Sequence, residues 1–368
     1  MAEDQLNGGM QWIGGVEPSA EVLAMNMVQI FEMECREQPA RLAELLKSYG
    51  ENRVVREELG RVKQIARDAG PVLFAGMGAS FCSGVSGTSL LQMNGRSSFV
   101  VDAGEWLHYG LPVWNQVAGT VLLTTSGESA ELVELCKRNA GKPLALICNN
   151  EKSKCWALAD IKLPILAGPE YGNATKTYTN STAAAIVAAS EMLGQEWKTQ
   201  AGQALEAFSG LLDRSLGRRA ELEEFCRGSA NIELIGRGPA YGSAFMGALC
   251  IREMAGKRAA AHTGAGFRHG PLLDVSDTHL AIIFAVGRAA ELGAKLAKDC
   301  NERGGKVILV SAEEHEATAK LLPVKIEAVA EPWESLTTIL VPQALTLAMI
   351  EKNGANLKPR FWYGAMVQ

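Results

Sequence analysis

The chain has 368 residues, more than one ordinary hydrophobic core accommodates, so two domains with extensions are expected. Apolar residues make up 47% and charged residues 21% of the sequence, which is typical of a globular protein and excludes an intrinsically disordered chain. The net charge of -5 and the lack of a Lys/Arg-rich run argue against nucleic-acid binding and against a polybasic membrane patch.

Targeting and membrane signals are not apparent in the sequence. The first 20 residues contain no basic segment followed by an apolar one, so no signal peptide is expected. No apolar run has the length of a transmembrane helix. The eight cysteines are scattered, without a C-x-x-C pair or a Cys/His cluster of metal spacing. We therefore expect reduced thiols in a cytoplasmic protein and no bound metal.

The chain begins with a predicted N-terminal helical extension over residues 1–54. Its first 20 residues are expected to be poorly ordered. Apolar residues then recur at helical spacing over 21–46, where Gln38-Pro39 predicts a break between two helices. A third helix is predicted over about 52–69.

From residue 72 onward, short apolar strands alternate with helices. Strands are predicted at 72–78, at 99–107, at the start of 120–135, at 143–150 and at 161–170, and a helix follows over about 179–193. This alternation predicts right-handed βαβ crossovers and a parallel sheet covered on both faces.

A second unit of the same kind follows a helical connector over about 197–228. The strand, glycine turn and helix of 72–91 return in 231–254, later strands are predicted at 279–286, 306–312 and 324–329, and a helix at 336–352 closes the unit. We predict two tandem three-layer α/β/α domains with parallel five-stranded sheets, of flavodoxin-like or Rossmann-like type. Their predicted bounds are 55–200 and 205–345, followed by a C-terminal tail at 346–368.

The first glycine turn, Gly76-Met77-Gly78-Ala79-Ser80, ends a strand and precedes a helix. Backbone N–H groups and the helix dipole favour an anion at such a point, which makes Gly78 and Ser80 candidate phosphate ligands. A tight turn alone also requires glycine. The turn is not a dinucleotide-binding fingerprint, because a third glycine and a ribose-binding acid are missing at the required spacing.

A hydroxyl-rich loop, TTSGES, follows the third strand. Thr124, Thr125, Ser126 and Ser129 supply four hydroxyls between a buried strand and a helix, and neutral donors there suit a phosphate monoester. A helix cap with a capping box explains about half of these hydroxyls but not all four.

A second hydroxyl-rich stretch runs from residue 175 to 182 and begins another helix. Thr175 and Lys176 could contribute to an anion site. The stretch could also be only a helix cap, with the lysine reaching solvent.

The segment from 249 to 271 is the candidate centre of the chemistry. Glu253 lies among apolar and small neighbours, and His269 follows in a glycine-rich loop. A carboxylate and an imidazole that a fold brings together can move protons near neutral pH. Taken singly, Glu253 could be an ion-pair residue with Arg252, Arg268 or Lys257, and His269 a loop residue held by backbone bonds.

Together these motifs resemble the SIS (sugar isomerase) domain family, in particular the tandem pair in the isomerase half of glucosamine-6-phosphate synthases. The resemblance covers nearly the whole chain. It rests on GMGASFCSG as the first glycine turn, TTSGESAEL as the phosphate loop, GPEYGNATKTYTNS as the stretch ending in T-K-x-x-T, and GRGPAYGSAFMGALCIREMAGK with GFRHGP as the second domain.

The resemblance implies roles for individual residues. Ser80, Thr124, Ser126 and Ser129 would contact the sugar phosphate, Glu253 would move a proton between C1 and C2, and His269 would assist ring opening. It also implies a homodimer in which the histidine loop reaches the neighbouring subunit's site, with no metal or organic cofactor.

Two departures separate the chain from the synthases. Only about 20 residues precede the first predicted helix, so no glutaminase domain and no glutamine-dependent amination are expected. The tail carries Gly364 where the synthases have a catalytic lysine, which argues against a Schiff base. Stand-alone isomerases, amino-sugar-phosphate deaminases and fructosamine-6-phosphate deglycases fit better. The alternative is a non-catalytic regulator that binds sugar phosphate; it could keep the hydroxyl loop without Glu253 and His269.

Overall fold

The structure, a computed structural model, describes residues 19–139 and 141–353. Predictions for the first 18 residues and for the tail from 354, including Gly364, lie outside the described residues. Its strands are β1 (Val72–Gly76), β2 (Ser98–Asp102), β3 (Gly119–Thr124), β4 (Leu144–Cys148), β5 (Ile161–Pro164), β6 (Asn231–Gly236), β7 (Ala259–Thr263), β8 (His279–Ala285), β9 (Lys306–Ser311) and β10 (Leu321–Lys325).

Helices connect and cover these strands. In chain order they are α1 (Ala20–Leu23), α2 (Met27–Glu51), α3 (Arg53–Arg61), α4 (Ala79–Met93), α5 (Ala103–Glu105), α6 (Ala130–Lys137), α7 (Lys154–Leu158), α8 (Lys176–Leu193), α9 (Lys198–Gly217), α10 (Arg219–Cys226), α11 (Ala240–Ala255), α12 (Gly264–Arg268), α13 (Pro271–Asp274), α14 (Ala290–Glu302), α15 (Glu334–Thr338) and α16 (Leu340–Asn353).

The strands form two five-stranded parallel sheets. The orders are β2-β1-β3-β4-β5 and β7-β6-β8-β9-β10, so the second sheet repeats the strand order of the first. Their central strands are buried apolar segments, as expected for sheets covered on both faces. The predicted pair of α/β units with parallel five-stranded sheets is confirmed. The bounds 55–200 and 205–345 stay predictions.

The helix α2 runs unbroken through Pro39, so the predicted break at Gln38-Pro39 is wrong. Proline lacks the N–H that would bond to the carbonyl four residues earlier. In this helix the amide of Gln38 donates to that carbonyl, the oxygen of Cys35, at 3.1 Å. The side chain therefore replaces the missing backbone hydrogen bond, and the helix continues.

The α2 helix also ties the two units together. The Gln38 amide donates to Gln343 Oε1 on α16 at 2.9 Å, and its Oε1 accepts from the Thr179 hydroxyl on α8 at 2.6 Å. All three side chains are fully buried. A buried polar group is tolerated when it is hydrogen-bonded, so this network fixes how α2 lies against both units.

Strand β7 lies between the predicted helix that ends at 254 and the predicted glycine-rich loop of His269, where no strand is predicted. Ala259, Ala260 and Ala261 carry little strand propensity, and pairing with β6 holds the segment extended. The segment predicted as a glycine loop then forms the short helix α12. Strand β10 lies about three residues earlier than predicted.

The two units meet where α4 packs against α11. Gly242 lies so close to α4 that a methyl group on it would stand 2.5 Å from the carbonyl oxygen of Cys82. The rings of Phe81 and Phe245 meet edge to face beside this point, with centroids 5.8 Å apart. The close helix contact therefore depends on a residue without a side chain.

Three further features of the described residues concern membrane spans, metal sites and thiols. None of the helices there has the length and apolarity to span a membrane. No group of three or more His, Cys, Asp or Glu side chains in those ranges could hold a metal ion. All eight cysteines are buried and free of disulfides.

We expect Gly242→Ala to lower the free energy of unfolding by about 1–3 kcal/mol, because the added methyl group overlaps the α4 backbone. The control is Gly202→Ala on α9, where a methyl group meets nothing within 4 Å. That control should stabilise the helix by about 0.5–1 kcal/mol. Urea unfolding of both variants measures the difference, and equal stability of Gly242→Ala and the wild type would contradict the contact.

Candidate functional site

The candidate site lies at the carboxyl edge of the first sheet, between β1 and β3. These strands pair in register from Val72 with Gly119 to Ala75 with Leu122, and the chain leaves them toward opposite sides of the sheet. Open parallel sheets bind ligands at such a switch point. The turn holding Gly78 and Ser80 follows β1, and the loop from 124 to 129 follows β3. The topology thus brings these two predicted segments together.

Two glycines shape the turn before α4. A methyl group on Gly76 would lie 2.8 Å from the carbonyl carbon of Ser80, so glycine lets the first turn of α4 pack on the end of β1. Gly78 has φ +52°, a value that other residues rarely adopt, and it precedes α4 without a side-chain cap. The first N–H groups of a 15-residue helix therefore face this edge without a side-chain acceptor from the N-cap residue, as an anion site requires.

The hydroxyl loop is folded by its own side chains. Thr124, which is buried, accepts the N–H of Gly127 at 3.1 Å, and Ser126 accepts the N–H of Glu128 at 3.3 Å. Ser129 precedes α6 and makes no side-chain cap bond, so the capping-box alternative does not describe it. A hydroxyl that accepts a hydrogen bond keeps its own hydrogen to donate. The loop can therefore present several neutral donors, although the ligand roles of Thr124, Thr125, Ser126 and Ser129 stay predictions.

The one acidic residue of this loop is engaged with a lysine. Lys154 donates its backbone N–H to Glu128 Oε1 and its ammonium group lies against Oε2, both at 3.0 Å. Burial raises the pKa of the Glu128 carboxyl, but the hydrogen bonds from Lys154 outweigh it and leave the pKa below its usual value. The carboxylate is thus compensated locally, which reduces its repulsion of an anion.

Thr175 and Lys176 have partners inside the protein. The N–H and the hydroxyl of Thr175 both donate to Glu170 Oε1 at 2.9 Å. The ammonium group of Lys176 donates to Glu37 at 2.5 Å and to the carbonyl oxygen of Pro169 at 2.8 Å. Both residues are buried, and their contacts within the chain fix the conformation of the loop before α8. Their role as substrate ligands stays a prediction.

Two buried carboxylates around this loop were not predicted. Glu34 of α2 accepts the N–H groups of Tyr171 and Gly172, and Glu170 lies close to it. Burial, and then the charge of Glu170, hold the pKa of Glu34 well above its usual value. A sequence signal did exist: Glu34 lies on the same helical stripe as Ile30 and Phe31, the apolar face of α2.

Glu253 lies in the last turn of α11 and is exposed in a single chain, although its sequence neighbours suggested an apolar setting. It accepts a hydrogen bond of 2.5 Å from the amide of Asn173. Burial raises the pKa of the Cys82 thiol, and the charge of Glu253 adds to that rise, so the carboxylate acts within electrostatic range of the first turn of α4. Of the three cations considered as its partners, Arg268 forms an ion pair with Asp299 at 2.5 Å.

His269 is exposed and follows α12, with its backbone N–H on the carbonyl oxygen of Gly266 at 3.1 Å. Glu253 precedes β7 and His269 follows it. The five extended residues of β7 span about 16 Å. The pairing of Glu253 with His269 as acid and base stays a prediction.

The matching edge of the second sheet is occupied by the chain's own carboxylates. Glu331 accepts the N–H of Arg288 at 2.8 Å and pairs with its guanidinium group at 2.7 Å. Glu334 is 3% exposed; burial, and then the charge of Glu331, raise its pKa to about 8 against the opposing effect of Arg288. A methyl group on Gly287 would touch both carboxylates. These two side chains fill the position that an external anion would need, which leaves the first sheet as the candidate site.

The carboxyl of Glu334 makes stability depend on pH. Its folded-state pKa lies above the unfolded value, so the neutral form stabilises the fold below about pH 4.5 and this stability is lost as the pH rises to about 8. We expect this carboxyl to lower the unfolding free energy by a few kcal/mol, at most about 5, over that window. Glu334→Gln should make the fall smaller by that amount, whereas Glu302→Gln on the exposed face of α14 should leave the fall unchanged. Urea unfolding at both pH limits measures this; an equal fall in the wild type and Glu334→Gln would contradict it.

Comparisons with known proteins agree with this geometry. The family model described as SIS domain matches residues 66–191 and 227–352, more than half of the chain. The glutamine–fructose-6-phosphate aminotransferase (isomerizing) of Mycolicibacterium smegmatis is 28% identical over 349 residues, which cover 89% of this chain and 55% of that protein. The corresponding enzyme of Pyrococcus horikoshii is 26% identical, with 82% and 52% covered. The chain spans about half the length of these curated relatives.

Solved structures share the fold at low sequence identity. The C-terminal domain of glucosamine-fructose-6-phosphate aminotransferase from Francisella tularensis superimposes with a TM-score of 0.75 at 19% identity, covering 90% of this chain and 97% of that one. Tagatose-6-phosphate ketose/aldose isomerase from Escherichia coli gives 0.71 at 19% identity, with 94% and 99% covered. Glucosamine-6-phosphate deaminase from Thermotoga maritima gives 0.65 at 20% identity, with 87% and 95% covered. With the family model matching both α/β units, the chain belongs to the SIS domain family and carries two such domains in tandem.

Proposed function

We propose that this protein is a phosphosugar isomerase-type enzyme that acts on a ketose phosphate or an amino-sugar phosphate. The observation that carries the proposal is the hydroxyl loop at the switch point of the first sheet, beside the N-terminus of α4. The charge of Glu253 acts on Cys82 in the first turn of that helix. Its relatives and structural neighbours include isomerising aminotransferases, a ketose/aldose isomerase and a deaminase of sugar phosphates, which supports this class.

Binding would begin with the phosphate group. Ser80 and the loop hydroxyls of Thr124, Ser126 and Ser129 offer neutral donors, and the N-terminus of α4 offers positive dipole ends. Holding the phosphate fixes the far end of an open-chain sugar, so C1 and C2 can be placed against a base. None of these four hydroxyl side chains is charged, so the dipole of α4 is the feature that favours an anion.

Glu253 would then serve as the base. Its carboxylate takes a proton from the carbon next to the C=O or C=N group, and the electron pair moves to form an enediol or enaminol. Return of the proton to the neighbouring carbon isomerises the sugar. Hydrolysis at the nitrogen-bearing carbon releases ammonia in a deaminase, or an amine in a deglycase. These three outcomes share the same first proton transfer.

We also infer a homodimer in which the partner subunit's His269 completes the site. The inference is supported by the position of β7 between Glu253 and His269 in the chain and by the exposure of both residues. A histidine brought from a second copy could assist ring opening beside Glu253. The cytoplasmic location stays a prediction.

We expect Glu253→Gln to retain the affinity for sugar phosphates and to abolish solvent deuterium exchange at C1/C2. Glutamine keeps the shape of the side chain but cannot accept the proton. A panel of phosphorylated ketoses, hexosamines and fructosamines, followed by NMR in D₂O and by calorimetry, measures both properties. The same panel, read for ammonia, amine and aldose, distinguishes isomerase, deaminase and deglycase.

The complementary variant is Ser126→Ala, which removes one phosphate donor and leaves the base. Its affinity should fall by about 1–3 kcal/mol, roughly 5- to 150-fold. Tight binding without any exchange in the wild type would favour the regulator over the enzyme. Exchange at the wild-type rate in Glu253→Gln would show that another residue is the base.

Mixed dimers test the shared site. Subunits carrying Glu253→Gln and His269→Ala should each be inactive as homodimers, and a mixed dimer should regain about one intact site of two. Exchange activity of co-expressed, tandem-tagged heterodimers measures this. Heterodimers as inactive as either parent would contradict a role of His269 across the interface.

A further inference from the structure

Asn173 lies at the centre of a contact that neither the sequence nor the comparisons assign. The residue is 2% exposed and belongs to the loop between β5 and α8. Its Nδ2 donates to Glu253 Oε2 at 2.5 Å, and its Oδ1 accepts from the thiol of Cys250 at 3.3 Å. Because the thiol hydrogen faces the amide oxygen, the amide nitrogen is the end that faces the carboxylate.

The backbone around Asn173 is held by two buried carboxylates. Glu34 accepts the N–H groups of Tyr171 and Gly172 on one side. On the other side Glu170 accepts the N–H and hydroxyl of Thr175. A methyl group on Gly172 would lie 2.8 Å from Glu34 Oε2, so glycine permits this approach. The loop therefore has little freedom to move Asn173 away from α11.

We propose that Asn173 is a positioning residue that fixes the carboxylate of Glu253 for proton transfer. The proposal rests on the proposed function of Glu253 as the base. The terminal torsion of a glutamate is broad, and an exposed carboxylate samples many orientations. A short hydrogen bond from a rigid amide to Oε2 selects one of them and so fixes how the carboxylate is oriented when it takes the proton. Asn173 thus affects the rate of proton transfer more than the affinity for the sugar phosphate.

The groups around Glu253 allow its titration to be followed cleanly. Cys250 on its own helix and Cys82 on α4 both face it, and burial raises the pKa of both thiols well above the usual value, so they stay neutral near pH 7. Arg252 on α11 and Lys257 just beyond that helix flank Glu253, and both are exposed.

The test compares Asn173→Ala and the isosteric Asn173→Asp with the wild type. Losing a donor to the charged form raises the pKa of a carboxyl, and a facing carboxylate raises it further. The ¹³C NMR signal of the Glu253 carboxyl is assigned as the one that is missing in Glu253→Gln. In both Asn173 variants this signal should titrate at higher pH than in the wild type. This NMR measurement needs no substrate. Deuterium exchange should fall about 10- to 100-fold in Asn173→Ala at nearly unchanged affinity, with its acid limb moved to higher pH.

The control is Asn180→Ala. Asn180 is an equally buried amide on α8 that donates to the carbonyl oxygens of Arg41 and Ile165, away from Glu253. It should lower the melting temperature and leave the titration of Glu253 unchanged. If Glu253 titrates at the same pH in the wild type and both Asn173 variants, the proposal is overturned. If the titration moves but the wild type exchanges no deuterium into any sugar phosphate, the positioning contact stands and the proposed function fails.

Discussion

A carboxylate buried on the apolar face of a helix must find hydrogen-bond donors, and the way Glu34 finds them determines much of this structure. Its donors are the backbone N–H groups of Tyr171 and Gly172, 137 and 138 positions away. The loop that starts α8 is thereby fixed to α2. Asn173 in that loop meets α11, which belongs to the second unit. One buried carboxyl group thus links the N-terminal helix, the loop before α8 and the candidate base.

The two units share one topology but differ at the edge where ligands bind. The first edge presents hydroxyls and an uncapped helix, while Lys154 compensates the acidic residue of its loop. The second edge is filled by Glu331 and Glu334, which contact the loop after β8. With the same strand order, the edge of the first sheet can accept an anion, whereas the edge of the second sheet is filled by side chains of the protein. The specific chemistry lies in loop residues that the sheet only positions.

Local patterns allowed the sheets and the hydroxyl loop to be predicted, because buried apolar runs ending in glycine carry their own signal. Strand β7 was not predicted, since Ala259 and its neighbours are extended only through pairing with β6. Lys176 contacts Glu37, 139 positions away, and Glu253 contacts Asn173, 80 positions away. A local sequence pattern cannot predict contacts over such separations. The predicted helix break at Pro39 is wrong because the side chain of Gln38 donates to the carbonyl oxygen of Cys35, which the missing N–H of Pro39 leaves without a backbone donor. What sequence periodicity cannot supply is the identity of contacts between distant segments.

The eight cysteines are buried and form no disulfide, so their reaction with a thiol reagent can show when parts of the protein open to solvent. A thiol reagent reacts with thiolates that solvent can reach, and burial both hides these groups and raises the pKa of several of them. Cys82 lies at the contact between the units, whereas Cys300 is a residue of α14 that is buried in the core of the second unit. If Cys82 is labelled before Cys300, the two units separate locally before the second unit unfolds. Labelling of both at the same rate indicates that the second unit unfolds in the same step.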